Sequence, residues 1–195
     1  MIHKIMWFWN LIHYNMYVFY QKAHLMFNLI NPFRRLYNIR YIKEYMSRRG
    51  VKDLNKLIDN AYSNPRTGIS ILWAGIFMGG ILIIVEYSFF NLIQIFIGKS
   101  LVQYIWNNSL NKILFAILLL IPAGLVNYFI IFRKNRYIEY FNEFKNIPRG
   151  QSIKNGWICF AFIIFILLFL ISSFIILSKS RAFEQRQVLT IYGHK

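Results

Sequence analysis

Cysteine is nearly absent. Cys159 is the one thiol in 195 residues, which excludes an intrachain disulfide and any CxxC metal or redox site. Acid is scarce too, with seven Asp and Glu against 23 Lys and Arg. Charged residues make up 15% of the chain, where a soluble domain carries about 25%. Beside 57% hydrophobic and 19% aromatic content, that shortage excludes an ordinary soluble domain. No glycine-rich phosphate loop occurs, and no internal repeat is visible to support a transporter built from duplicated halves.

What is present is apolar length. Residues 113–132 and 156–178 carry no charge, and residues 69–97 carry only Glu86. Runs of 18 or more such residues read as transmembrane helices. The fold class expected is an all-α integral membrane protein: three transmembrane helices, an N-terminal amphipathic, interfacial helix, and short cytosolic helices. Residues 1–68 form the N-terminal interfacial and basic region. Residues 69–178 form the three-helix membrane domain with a cytosolic loop at 133–155, and residues 179–195 form a short polar tail.

The net charge of +16 raises nucleic acid as a partner, but the placement of the positive residues argues against it. Eleven Lys and Arg fall in residues 1–68 and six in residues 133–156, both beside apolar runs, as the positive-inside rule requires. The basic segments therefore face anionic lipid on the cytoplasmic side of a bacterial inner membrane, with the C-terminal tail on the other side. The N-terminus is a poor secretory signal, because Asn10, His13 and Asn15 interrupt its apolar part and no small-residue cleavage site follows. It is expected to be retained.

Residues 5–30 are apolar and aromatic with polar residues at heptad spacing. His3, Asn10, Tyr17 and His24 make one row, and Tyr14, Gln21 and Asn28 the next. Positions seven apart lie about 20° apart on a helix, so the rows form one narrow stripe. An in-plane helix with its stripe toward water fits this pattern; a fourth membrane helix with the stripe facing a partner is the alternative. Asn31-Pro32 ends the element. Residues 33–49 read as a charged helix stopped by Gly50. Residues 51–61 read as a short amphipathic helix with Lys52, Asp53, Lys56 and Asp59 off its apolar face, and "SNPRTG" is a turn.

The first span, read as one helix, would be about 43 Å long against a hydrocarbon core of about 30 Å. Asn91, Gln94, Gly98 and Lys99 favour a bend of its last third onto the far surface. Within it, Gly79 lies about 40° and Glu86 about 20° from Gly75 around the helix. Two glycines four apart permit close backbone approach by another helix, and an ionisable residue inside a span marks a functional position. Helical rise puts Glu86 about 25 Å from the inner boundary, near the outer edge of the hydrocarbon. The second span holds Pro122, Gly124 and Asn127. Pro122 removes a backbone donor and frees the Leu118 carbonyl, so a kink is expected, with Asn127 in a structural role. Residues 133–147 read as a helix continuing from it, with Tyr137, Phe141 and Phe144 on one stripe.

Catalysis finds little support. His3, His13, His24 and His194 have no acidic neighbours at metal-ligand spacing. Glu139 and Glu143 read as a solvated face, and Ser172-Ser173 has no base nearby and reads as bonding the preceding turn. A weak alternation at Val188, Thr190 and Tyr192 is too short to establish a strand. The expectation is a non-enzymatic membrane protein that needs no cofactor or metal. Its partners would be the lipid bilayer and another membrane protein or further copies of itself. The candidate contact residues are Gly75, Gly79, Glu86, Asn127, Asn10, Tyr17 and His24. An accessory subunit or an immunity-type protein fits this reading; the alternative is an oligomeric channel lined by Glu86. A lipid enzyme using His13 and His24 ranks below both.

Overall fold

The computed structural model describes residues 2–99 and 101–192, and every regular element among them is helical. In chain order these are α1 (Ile2–Ile30), α2 (Pro32–Leu36), α3 (Arg40–Arg48), α4 (Leu54–Ser63), α5 (Ile69–Ile97), α6 (Leu101–Trp106), α7 (Ser109–Asn127), α8 (Arg136–Lys145) and α9 (Arg149–Tyr192). Three helical runs, Ile69–Ile97, Ser109–Lys145 and Arg149–Ser180, are long and apolar enough to cross a membrane. The architecture is that of an all-α membrane protein.

Local chemistry sets several of the boundaries. Asn31 caps α2 by accepting from the Phe33 amide at 3.0 Å, with Pro32 in the first turn, where its missing N–H costs nothing. Asp53 caps α4 through the Lys56 amide at 3.1 Å, and Asn108 caps α7 through the Leu110 amide at 3.0 Å, each satisfying an orphan donor of the first turn. Gly50 follows α3 at φ +82°, a left-handed position that glycine takes without steric cost.

Three expectations need correction. The charged helix expected over 33–49 is two helices, because Ile39 is extended (ψ 134°) between α2 and α3. The first span does not bend at Asn91: α5 stays helical to Ile97 and the chain turns at Gly98, φ +65°. Asn91 and Gln94 are buried, so they have no need to seek the surface. The helix expected to continue through 133–147 is broken. After α7 comes a π-helical turn, Tyr128–Phe132, then a 3-10 turn in which Lys134 and Asn135 are left-handed at φ 57° and 55°. The backbone is helical through Tyr192, so the alternation at Val188, Thr190 and Tyr192, too short to establish a strand, lies within α9. His194, in the tail, lies outside the described residues.

The chain divides into two compact units. The first contains residues 1–78 and 130–156. In it α1 lies along α8 and touches α4. The predicted stripe Tyr137, Phe141 and Phe144 is buried there with Leu11, Ile12 and Tyr17. Edge-on ring contacts join Trp7 to Phe144 at 5.4 Å and Tyr14 to Phe141 at 5.1 Å, geometries that aromatic quadrupoles favour. The Trp7 indole N–H donates to Glu143 Oε1 at 3.0 Å.

The second unit contains residues 79–129 and 157–195. Among the described residues its buried apolar side chains are Ile81, Ala123, Cys159, Ile166 and Leu177. Aromatic contacts link Phe90 to Phe115 at 4.7 Å and Tyr87 to Phe174 at 5.7 Å. Here α6 packs on α7, with the Lys112 ammonium 5.5 Å from the Trp106 ring.

Candidate functional site

From Asn10 onward the polar stripe of α1 faces the protein, not water, while His3 at its start is exposed. Asn10 is wholly buried, and its amide donates to the Met6 carbonyl at 2.8 Å and the Ile130 carbonyl at 3.4 Å. The Tyr17 hydroxyl donates to the Ser63 carbonyl, while Gln21 Nε2 donates to that hydroxyl at 2.6 Å and to the same carbonyl at 3.0 Å. Burial raises the pKa of the Tyr17 hydroxyl, an effect opposed by the Gln21 hydrogen bond. Towards its C-terminal end α1 leaves Phe19, Leu25, Met26 and Leu29 exposed, with Lys22 among them. The stripe was expected to meet water. It turns inward because α4 and the segment around Ile130 offer hydrogen-bonding groups that an oily environment withholds.

At the end of the stripe the side chains converge on Asp59, which the sequence places off the apolar face of its helix. Arg34 Nη2 donates to Asp59 Oδ2 at 2.8 Å, and Asn28 Nδ2 donates to Oδ1 at 3.0 Å. His24 Nε2 lies 3.2 Å from Oδ1 and 2.8 Å from Asn28 Nδ2. The His24 ring stacks flat on Tyr62, with centroids 3.7 Å apart and planes 7° off parallel. These groups border a half-open cleft of about 580 Å³. Its other walls include Tyr20, Phe27, Trp73 and Ser70. Ser70 is wholly buried, and its hydroxyl has no hydrogen-bond partner among the described residues.

His13 occupies a different environment. It is wholly buried among the rings of Phe132, Tyr137 and Phe141, with centroids 5.8, 5.9 and 5.3 Å away. Neither ring nitrogen has a hydrogen-bond partner among the described residues. Desolvation lowers its pKa from 6.5 to about 3, so the imidazole is neutral at physiological pH.

On α5, a side chain at Gly75 would place its Cβ 2.9 Å from the Phe132 ring. Close approach at this glycine is therefore made by the chain's own aromatic residue. In the second unit a Cβ at Gly79 would stand 3.4 Å from Asn127 Nδ2, so the structure brings these two candidates together; Asn127 is buried. Glu86 is half-buried. Its Oε2 atom is shut off from the surface and meets no hydrogen-bond donor among the described residues.

Nearby on the same helix is a polar group that the sequence reading did not single out as a unit. Asn91 Nδ2 donates to Ser173 Oγ at 3.1 Å, and Ser173 Oγ donates to the Leu170 carbonyl at 2.7 Å. Gln94 Oε1 accepts from the Val102 amide at 3.3 Å. This cluster fastens α5 to α9 and α6 by hydrogen bonds among apolar surroundings. Its signal was polarity at 91 and 94 in an apolar run, which was read as a bend.

Among the described residues no group of three His, Cys, Asp or Glu converges as metal ligands. No family model, curated protein or solved structure matches the chain.

Proposed function

We propose that this chain is a non-enzymatic protein of a bacterial inner membrane that works through helix association, as an accessory subunit of a membrane assembly or as an immunity-type protein. The observation that carries the reading is Glu86. An ionisable side chain inside an apolar span is costly in lipid, and the part of Glu86 that stays accessible is open to a donor on a neighbouring polypeptide. The two glycines support the reading less directly, since Phe132 and Asn127 already occupy the space beside them. The basic residues of 1–68 and 133–156 favour an orientation with these segments in the cytoplasm.

The test is the native mass of the detergent-solubilised protein. The wild type should run as a complex above the 23.5 kDa of one chain, with Glu86→Leu inserting normally but releasing the partner. A wild type that is monomeric in mild detergent and in lipid nanodiscs would refute the proposal. A complex made only of copies of this chain, conducting ions in a manner sensitive to Glu86→Gln, would transfer the reading to a channel.

A further inference from the structure

The cleft beside Asp59 is independent of Glu86 and supports a separate assignment. Its volume of about 580 Å³ lies within the range of about 300–1,000 Å³ typical of sites for small organic ligands. The cleft is amphipathic. Phe27 and Trp73 contribute apolar surface, while Arg34, Asn28 and Asp59 supply a polar end. Arg34 has five N–H donors. Among the described residues only Nη2 is engaged, on Asp59, so donors remain for an anion, while Asp59 has both oxygens occupied. The buried Ser70 hydroxyl, unpartnered on the wall of the cleft, is a second polar group in want of a ligand.

Position and charge narrow the ligand. Ser70 and Trp73 stand in the first two turns of α5, a membrane-crossing helix, which sets the cleft at headgroup level, where Trp is enriched. Residues 20–73 carry ten Lys and Arg against three Asp and Glu, a field that concentrates anions. A free phosphate would satisfy the donors and leave the apolar half of the cleft unfilled. We propose that the cleft binds one anionic phospholipid, its headgroup held by Arg34 and Ser70 and an acyl chain laid along Phe27 and Trp73.

Native mass spectrometry of the full chain, delipidated in nonionic detergent and titrated with phosphatidylglycerol, tests this. One adduct should form at lower lipid concentration than any with phosphatidylcholine. Arg34→Gln should raise its half-saturation by roughly tenfold, as expected for loss of a charge-assisted contact. Ala23→Trp, which fills the cleft and leaves every charge in place, should do the same. Arg48→Gln, at an exposed position on α3, should change nothing. Glycerol phosphate in large excess should leave the adduct intact. Equal retention by the wild type and Ala23→Trp overturns the assignment, as does full displacement by glycerol phosphate, which would show a site for soluble phosphate. Because the last arm uses the unaltered protein, a variant that fails to fold does not block the test.

Discussion

Acid should loosen the first unit through one residue, His13. Its imidazole has a folded-state pKa of about 3 against 6.5 for an unconstrained histidine, with desolvation as the cause. The groups facing it are Phe132, Tyr137 and Phe141. Neighbouring Tyr14 and Tyr17, whose ionisation burial displaces upward, hold their protons throughout the acid range. Below pH 6.5 the unfolded chain binds a proton that the folded chain refuses, so stability falls as pH falls. The contribution is intact above pH 6.5 and declines until pH approaches 3. At pH 4.5 the loss is about 2.7 kcal/mol from two units at about 1.36 kcal/mol each.

His13→Leu preserves volume and abolishes the titration. Denaturation midpoints of wild type and variant in detergent, followed by tryptophan fluorescence from pH 7.5 to 4.5, should therefore diverge, the variant losing about 2–3 kcal/mol less. At neutral pH the variant should be at least as stable, because it relieves two buried nitrogens of an unmet hydrogen-bonding demand worth about 1–3 kcal/mol. Parallel pH curves for the two proteins would refute the reasoning.

Further substitutions at Lys134, Gly75 and Gly79 probe the backbone and the packing beside α5. Lys134 is left-handed at φ 57°, which costs an L-residue about 1–2 kcal/mol. Lys134→Gly should raise the thermal midpoint by a stabilisation of about 0.5–1 kcal/mol after the entropic penalty of glycine, and Lys134→Val should lower it. Gly75→Val should destabilise by about 1–3 kcal/mol through overpacking against Phe132, with Phe132→Ala restoring most of the loss in a double-mutant cycle in denaturant. Gly79→Ala, with 3.4 Å to Asn127, should be tolerated at the same midpoint.

Hydropathy was enough to locate the spans, because an uninterrupted apolar run has one physical solution in lipid. The start of α5 at Ile69 and its end at Ile97 match the run itself. Periodicity likewise disclosed Tyr137, Phe141 and Phe144 as one buried face. A stripe, however, has no sign. The heptad row of Asn10, Tyr17 and His24 was visible, but whether it met water or protein depended on Ile130, Ser63 and Asp59, none of them adjacent in sequence. The same limit hid the cleft, since Asp59 and Arg34 meet across 25 positions. The left-handed pair at Lys134 and Asn135 was illegible for another reason. Neither residue type demands that conformation, and tertiary packing imposes it.

The inward stripe also has a consequence for biogenesis. Asn10 bonds to a carbonyl 120 residues downstream, so α1 leaves the ribosome long before the groove that receives it exists. At about 5–20 residues per second, the wait is roughly 6–24 s. During that interval a nascent helix with amides and hydroxyls on one side must shelter them in the insertion machinery or at the lipid surface. Seating α1 against α8 is consequently a late assembly step: a polypeptide truncated before residue 130 would keep the Ser63 and Asp59 partners of Tyr17, Gln21 and Asn28 but lack the Ile130 carbonyl for Asn10 and the aromatic face of α8.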